Sequence, residues 1–259
     1  MKNFIFPLVL AAATFLVAPA FAQVTLFSDQ FEAGNLDHWT GKLGGPDHGV
    51  IVPDPLNPTN NVLTFSEVNF GGDIFSLPPA SVNPAIQQLK LSFDFLALPN
   101  GGVAPPEYGG FIGVAADYSG LNPYFMAGTY PPALNVPPDT AVALTADSQW
   151  HHYEINLTQF ALSSGLTNLQ VVLEDWSGLG SVPGDVYFDN VQLTAKLNPA
   201  IIAALVPCAG PTTGGRWRNH GAYVSMVYYV TGQLVAAGLL TPEEQLAYTS
   251  AAAQSNCGK

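Results

Sequence analysis

Two segments far apart in this chain share one texture, and together they restrict the fold more than any other feature. The first runs Phe27-Ser-Asp-Gln-Phe-Glu-Ala-Gly-Asn-Leu-Asp-His-Trp39, the second Gly184-Asp-Val-Tyr-Phe-Asp-Asn-Val-Gln-Leu193. Both alternate aromatic residues with acids, as expected of a first and a last strand that meet in one sandwich and leave carboxylates at their junction. Between them the pattern has period two, or short apolar runs broken by Gly, Pro and Asn. Strands are predicted at 24–27, 50–52, 62–65, 73–77, 87–98, 110–117, 124–127, 140–145, 150–156, 169–174 and 185–194. The clearest is 87–98, where Leu89, Leu91, Phe93 and Phe95 fall on one face and Lys90, Ser92 and Asp94 on the other. Many short strands without intervening long helices indicate a sandwich or jelly roll. A helical turn is expected near 157–162, with Asn156 or Thr158 as its cap.

Residues 1–22 read as a secretory leader. Lys2 is the positive n-region, 4–17 the apolar stretch, and Ala20-Phe21-Ala22 a small-residue cleavage site before Gln23. No later stretch approaches the roughly 20 apolar residues of a membrane helix, so the processed chain is expected to be soluble, and extracellular or periplasmic. The formal net charge is -12, and loss of Lys2 with the leader makes it one unit more negative. Such a surface repels phosphate backbones and anionic lipid, which argues against nucleic-acid binding and suits multivalent cations. A hydrophobic content of 48% is enough to fill a core, which excludes a disordered chain.

The texture changes after Lys196. Helices are expected over 198–205, with Pro199 in the first position, over 221–237, and from Thr241-Pro-Glu-Glu244. In the last, Thr241 caps and Glu244 closes a capping box, while Gly238 ends the helix before it. The chain's two cysteines, Cys208 and Cys257, both fall here. An even pair in an exported chain reads as a disulfide, and closing a loop of about 50 residues stabilises a small unit by ~4 kcal/mol in the chain-entropy model. Residues 214–224 place Arg216 and Arg218 beside Trp217 and His220. This is either a docking patch for an acidic partner or a loop in which Asn219 and His220 fix the start of the following helix.

Candidate metal ligands are Asp29, Glu32 and Asp189, with the Asn60-Asn61 turn offering further oxygens. A hard cation such as calcium needs six to eight of them, and here it would act structurally by joining the two ends of the domain. No catalytic set emerges. His151 and His152 are adjacent on a strand and face opposite ways; Glu174 and Asp175 meet the same objection as a glycosidase pair. Neither H-E-x-x-H nor G-x-S-x-G occurs. Loops at 99–109 and 130–139 are long and stiffened by proline, the usual place for binding. Candidate ligand-binding aromatics in or beside loops are Tyr108, Tyr118, Tyr124, Tyr130 and Trp176, whose rings suit stacking on sugars. Trp39 and Trp150 are assigned to the core.

The two end motifs, Phe31-Glu32 and Val186-Tyr187-Phe188-Asp189-Asn190-Val191, resemble those of secreted bacterial jelly rolls of the carbohydrate-binding-module type, with a galactose-binding-like fold. Leu91-Ser-Phe-Asp-Phe95 is similar to segments of bacterial surface domains. The resemblance covers roughly 24–195 and implies a structural calcium at Phe-Glu and the terminal-strand Asp. The Cys208–Cys257 region looks like a small C-terminal region recurring in exported bacterial proteins. The resulting expectation is a leader (1–22), a mostly β, antiparallel jelly-roll sandwich (23–196) and a small C-terminal helical hairpin (197–259). Its expected function is that of a non-catalytic binding module for polysaccharide, cell-surface glycan or another extracellular surface. The alternatives are an adhesive matrix protein without sugar binding, and a glycan hydrolase or lyase on the same scaffold.

Overall fold

The structure, a computed structural model, describes residues 23–41, 47–66, 72–98, 108–116, 123–130, 134–177 and 186–259, with the backbone alone at Tyr108, Trp176 and Ser177. The chain divides into two compact units, Gln23–Ile201 and Ile202–Lys259.

The first unit is a sandwich of two sheets. One contains β1 (Gln23–Asp29), β3 (Gly49–Pro53), β4 (Asn61–Phe65), β7 (Gln87–Ala97), β11 (His151–Asn156) and β13 (Val186–Leu197), in the order β11-β7-β13-β4-β3. β1 also pairs with β13, antiparallel, from Gln23 opposite Lys196 to Asp29 opposite Val191. The two textured ends of the sequence are therefore hydrogen-bonded neighbours. The other sheet has β2 (Trp39–Thr40), β5 (Gly72–Ser76), β8 (Tyr108–Ala115), β9 (Tyr124–Gly128), β10 (Val142–Ala143) and β12 (Asn168–Ser177), ordered β10-β9-β8-β12-β5-β2, with β6 (Ala80–Ser81) beside β12.

Period-two patterning places the core between the sheets. Leu89, Leu91, Phe93 and Phe95 of β7 and Phe188 and Leu193 of β13 join Ile74, Ile112, Val114, Val171 and Leu173 in one buried cluster. Burying each such side chain contributes about 1.5–3 kcal/mol. The expected strand at 140–145 shortens to β10, because Thr140 N–H bonds Pro137 O in a turn. What remains pairs with β9 in parallel, unlike the rest of the sandwich. β2 and β6 carry only two residues each, too short for any period to reveal. The predicted turn forms as α1 (Thr158–Ser163). Asn156 Oδ1 accepts from Thr158 N–H, while the Thr158 hydroxyl accepts from Leu89 N–H and pins the helix to β7.

The division falls within α2 (Ala200–Leu205), and α3 (His220–Ala236) and α4 (Pro242–Gln254) follow in the second unit. Asn219 caps α3 by accepting from Ala222 N–H, and Thr241 and Glu244 form the expected capping box on α4. Gly238, at φ +70°, makes the left-handed turn between them. Cys208 and Cys257 are disulfide-bonded. Val206, Val227 and Ala252 form the small core with Trp217, Tyr223 and Tyr248 packed against it.

Candidate functional site

The junction of β1 and β13 is built from acids and the amides that hold them. Asp29 ends β1 and is fully engaged in its own turn: one carboxylate oxygen accepts from Phe31 N–H at 2.7 Å, the other from Trp39 Nε1 at 2.7 Å. Phe31 takes φ +57° and is fully buried, so this turn presses an aromatic ring into the core just before Glu32. Glu32 then accepts from Asn61 N–H at 3.3 Å, tying the turn to the start of β4. Asn61 thus contributes a backbone donor here.

Asp189 lies on β13, only 5% exposed. It accepts from Asn60 Nδ2 at 2.9 Å and from Asn190 N–H at 2.7 Å. Burial holds its carboxyl above the usual carboxylate range; the amides of Asn60 and Asn190 act against this, and the neighbouring carboxylates of Asp94 and Glu32 add to it. Glu32, in the turn after β1, and Asp189, on β13, therefore share one neighbourhood, bonded respectively by Asn61 and Asn60. β13 gains a residue on β7 between Asp189 and Gln192, a bulge that places Asn190 at φ +50° and turns its amide onto Asp94 Oδ2 at 2.7 Å. The sequence offers Asn60 as an oxygen source and places Asp94 on the outer face of β7. It does not show that Asn60 bonds Asp189 or that Asn190 bonds Asp94, because a bulge leaves no mark in a period-two pattern.

For a hard cation, Glu32 and Asp189 supply two carboxylates, and the Asn60 amide offers an oxygen if turned about its last bond. Among the described residues no three His, Cys, Asp or Glu side chains form a ligand group, so backbone carbonyls would have to complete the shell. Asp29 is the poorest match, since both its oxygens already hold the turn.

The aromatic candidates separate. Tyr124 is half-buried, packs on the core and meets Phe160 edge-on at 5.0 Å. Tyr130 is 42% exposed. Tyr118 lies outside the described residues. Backbone register sets Trp176 opposite Gly109 and Ser177 opposite Tyr108, while Thr129 N–H bonds Gly110 O across the next ladder. Positions 108, 130 and 176, remote in sequence, thus stand at one end of the adjoining strands β9, β8 and β12. The broad middle of that sheet's other face is occupied by the protein's own side chains, Phe75, Ala115 and Val172 with Phe125 against them.

The histidines point apart as their strand requires. His151 meets Asp147 at 2.8 Å, and that hydrogen bond lowers the Asp147 carboxyl; His152 meets Asp94 at 2.6 Å. Lys90 pairs with Glu154, which lowers the Glu154 carboxyl. This pair sits in a polar depression of about 300 Å³ lined also by Gln23, Gln88, Asn156 and Thr194. Trp150 is half-buried and donates to Asp54 at 3.1 Å.

These features define a mostly β sandwich of two sheets whose first and last strands pair. The proline-stiffened loop expected at 99–109 lies largely outside the described residues, as do residues 131–133 of the one expected at 130–139. No family model matches the chain, and no curated protein matches it. Solved structures with some likeness include the CBM22-1 xylan-binding domain from Paenibacillus barcinonensis Xyn10C (16% identity, 68% of this chain and 97% of that one, TM-score 0.40). Another is the K1 cleaved adhesin domain of Lys-gingipain from Porphyromonas gingivalis W83 (12% identity, 68% and 99%, TM-score 0.40). A third is the family 11 carbohydrate-binding module from Clostridium thermocellum (16% identity, 68% and 96%, TM-score 0.37). At such TM-scores these likenesses carry no weight for ligand or mechanism.

Proposed function

We propose that this chain is an exported, non-catalytic binding module that takes up glycan or a comparable extracellular surface at the end of β9, β8 and β12. The observation that supports this most is the register that sets positions 130 and 176 at the same end of adjoining strands, with position 108 one register step on and so on the alternate face. Aromatic residues at the end of a rigid sheet are suited to stacking against the apolar faces of sugar rings. The leader over 1–22 and the Cys208–Cys257 bond fit an oxidising, extracytoplasmic setting. A calcium ion at Glu32 and Asp189, completed by Asn60 and backbone carbonyls, would relieve the crowding of carboxylates there and lock the first strand to the last.

The test is a glycan array probed with the processed chain, with and without chelator, beside Tyr130→Ala and Trp176→Ala. Binding to at least one glycan is expected, weakened about tenfold or more by either variant, since base–aromatic stacking sets the scale at about 1–3 kcal/mol per ring. Binding that both variants retain in full would move the site elsewhere, and silence across the array would remove the glycan reading.

A further inference from the structure

We infer that the C-terminal unit holds a second binding site, for a small ligand bearing a carboxylate or sulfate group, with Arg216 and Arg218 as its anchors. The loop before α3 and the chain's last residues, fastened together by Cys208–Cys257, line an open pocket of about 560 Å³. That volume lies in the range of small-molecule sites. Its lining includes Arg216, Trp217, Arg218, Asn219, His220 and Lys259, so three of the chain's seven lysines and arginines converge on one pocket of a protein with net charge -12.

The walls are fixed by bonds that leave the guanidinium groups unspent. Trp217 donates Nε1 to Pro207 O at 2.8 Å and packs edge-on against Tyr223 at 5.7 Å, which fixes the indole in the wall. Asn219 is committed to its cap on Ala222. Both ring nitrogens of His220 face carbonyl oxygens, Nδ1 that of Cys257 at 2.7 Å and Nε2 that of Ala253 at 3.0 Å. Lys259 donates to Asn256 at 3.0 Å. Arg216 and Arg218 are exposed, and neither has a hydrogen bond or ion pair among the described residues. Two guanidinium groups without partners among the described residues, lining one pocket, can each hold an oxyanion with paired N–H donors.

Charge and size limit the ligand. Charges farther than about 8 Å are screened at physiological salt, so the local cations govern a short anionic group, and the C-terminal unit sets only the acidic side chains of Glu243 and Glu244 against them. A sugar acid or sulfated sugar of a few units fits a pocket of this size and charge. This site is independent of the aromatic sheet end proposed above.

Calorimetry on the processed, disulfide-intact chain at low salt tests the inference, with trigalacturonate, sodium sulfate and a neutral trisaccharide as probes. Trigalacturonate or sulfate should bind, and Arg216→Gln and Arg218→Gln should each weaken that binding about tenfold, as loss of one charged hydrogen-bonding group does. The Arg-to-Lys versions, which keep charge but not the fork, should lie between. Tyr130→Ala and Trp176→Ala should leave this binding unchanged even if glycan binding at the sheet end is lost. Absence of binding by both anionic probes, or binding that the double Gln variant retains while melting like the parent, overturns the site.

Discussion

Asp94 and Asp189 stand directly opposite each other on β7 and β13, and the Asn190 amide reaches both, at 2.7 Å and 3.4 Å. Like charges facing across a ladder are destabilising; here one amide donates to each and keeps them compatible. Removing it in Asn190→Ala should cost about 1.5–3 kcal/mol, the range for a hydrogen bond to a charged group, with added strain because the position takes φ +50°. Asn190→Gly should recover only the backbone part. Urea denaturation checks both, and an Ala variant as stable as the parent would contradict the role assigned to the amide.

The same carboxylates make stability depend on pH, and a calcium ion held by them would be coupled to that dependence. Asp189 has a raised carboxyl in the folded chain, through burial first and nearby acids after. The folded state therefore binds that proton more tightly than the unfolded one. Ionised Asp189 costs stability above its folded pKa, and the cost fades as pH falls toward the unfolded value of about 4. A cation at Glu32 and Asp189 would reverse the sign by favouring the ionised form. Thoroughly demetallated protein should accordingly melt higher on adding millimolar calcium at pH 7, and respond little at pH 4. Asp189→Asn should melt at or above the parent in chelator and lose its calcium response. A response that survives in Asp189→Asn with Glu32→Gln would place any cation elsewhere.

What the sequence disclosed and what it hid follow from range. The alternation of Leu89, Leu91, Phe93 and Phe95 reports burial on one face of a strand, a local property, so β7 is legible. The pairing of the two textured ends is the one long-range exception, legible through the aromatic and acidic texture they share. The capping box at Thr241 and Glu244 was legible as a local property too, since its donors and acceptors lie within four residues. Partners set by tertiary pairing were not. Nothing near Asn60 in sequence indicates Asp189, which lies 129 residues away, and nothing near Asp29 shows that Trp39 would take its second oxygen. The bulge at Asn190 adds one residue on one strand only, which shifts register without altering composition.

The helical unit should depend on its cross-link more than the sandwich does. Its buried core is small, with Val206, Val227 and Ala252 at the centre, and the bond closes a separation of 49 residues. Cys208→Ser with Cys257→Ser should lower its stability by about 4 kcal/mol on the chain-entropy account. Hydrogen exchange should then accelerate across α3 and α4 while β7 and β13 stay protected. Retained protection of α3 and α4 would mean that His220, holding the Ala253 and Cys257 carbonyls, suffices without the sulfurs.

Binding at the sheet end should be sensitive to a glycine that touches no ligand. A Cβ on Gly109 would strike the hydroxyl of Thr129 and come within 2.9 Å of its Cβ, and Thr129 is buried where β8 and β9 run side by side. Gly109→Ala must therefore part these strands, at about 1–3 kcal/mol for an overpacked contact. The strain falls one residue from Tyr108 and from Tyr130, and opposite Trp176. Glycan binding should drop with stability in Gly109→Ala, and Thr129→Gly should restore both by vacating the space. Calorimetric melting beside binding to the best array hit separates the outcomes: recovered stability without recovered binding would show that this strand spacing does not position the ligand end.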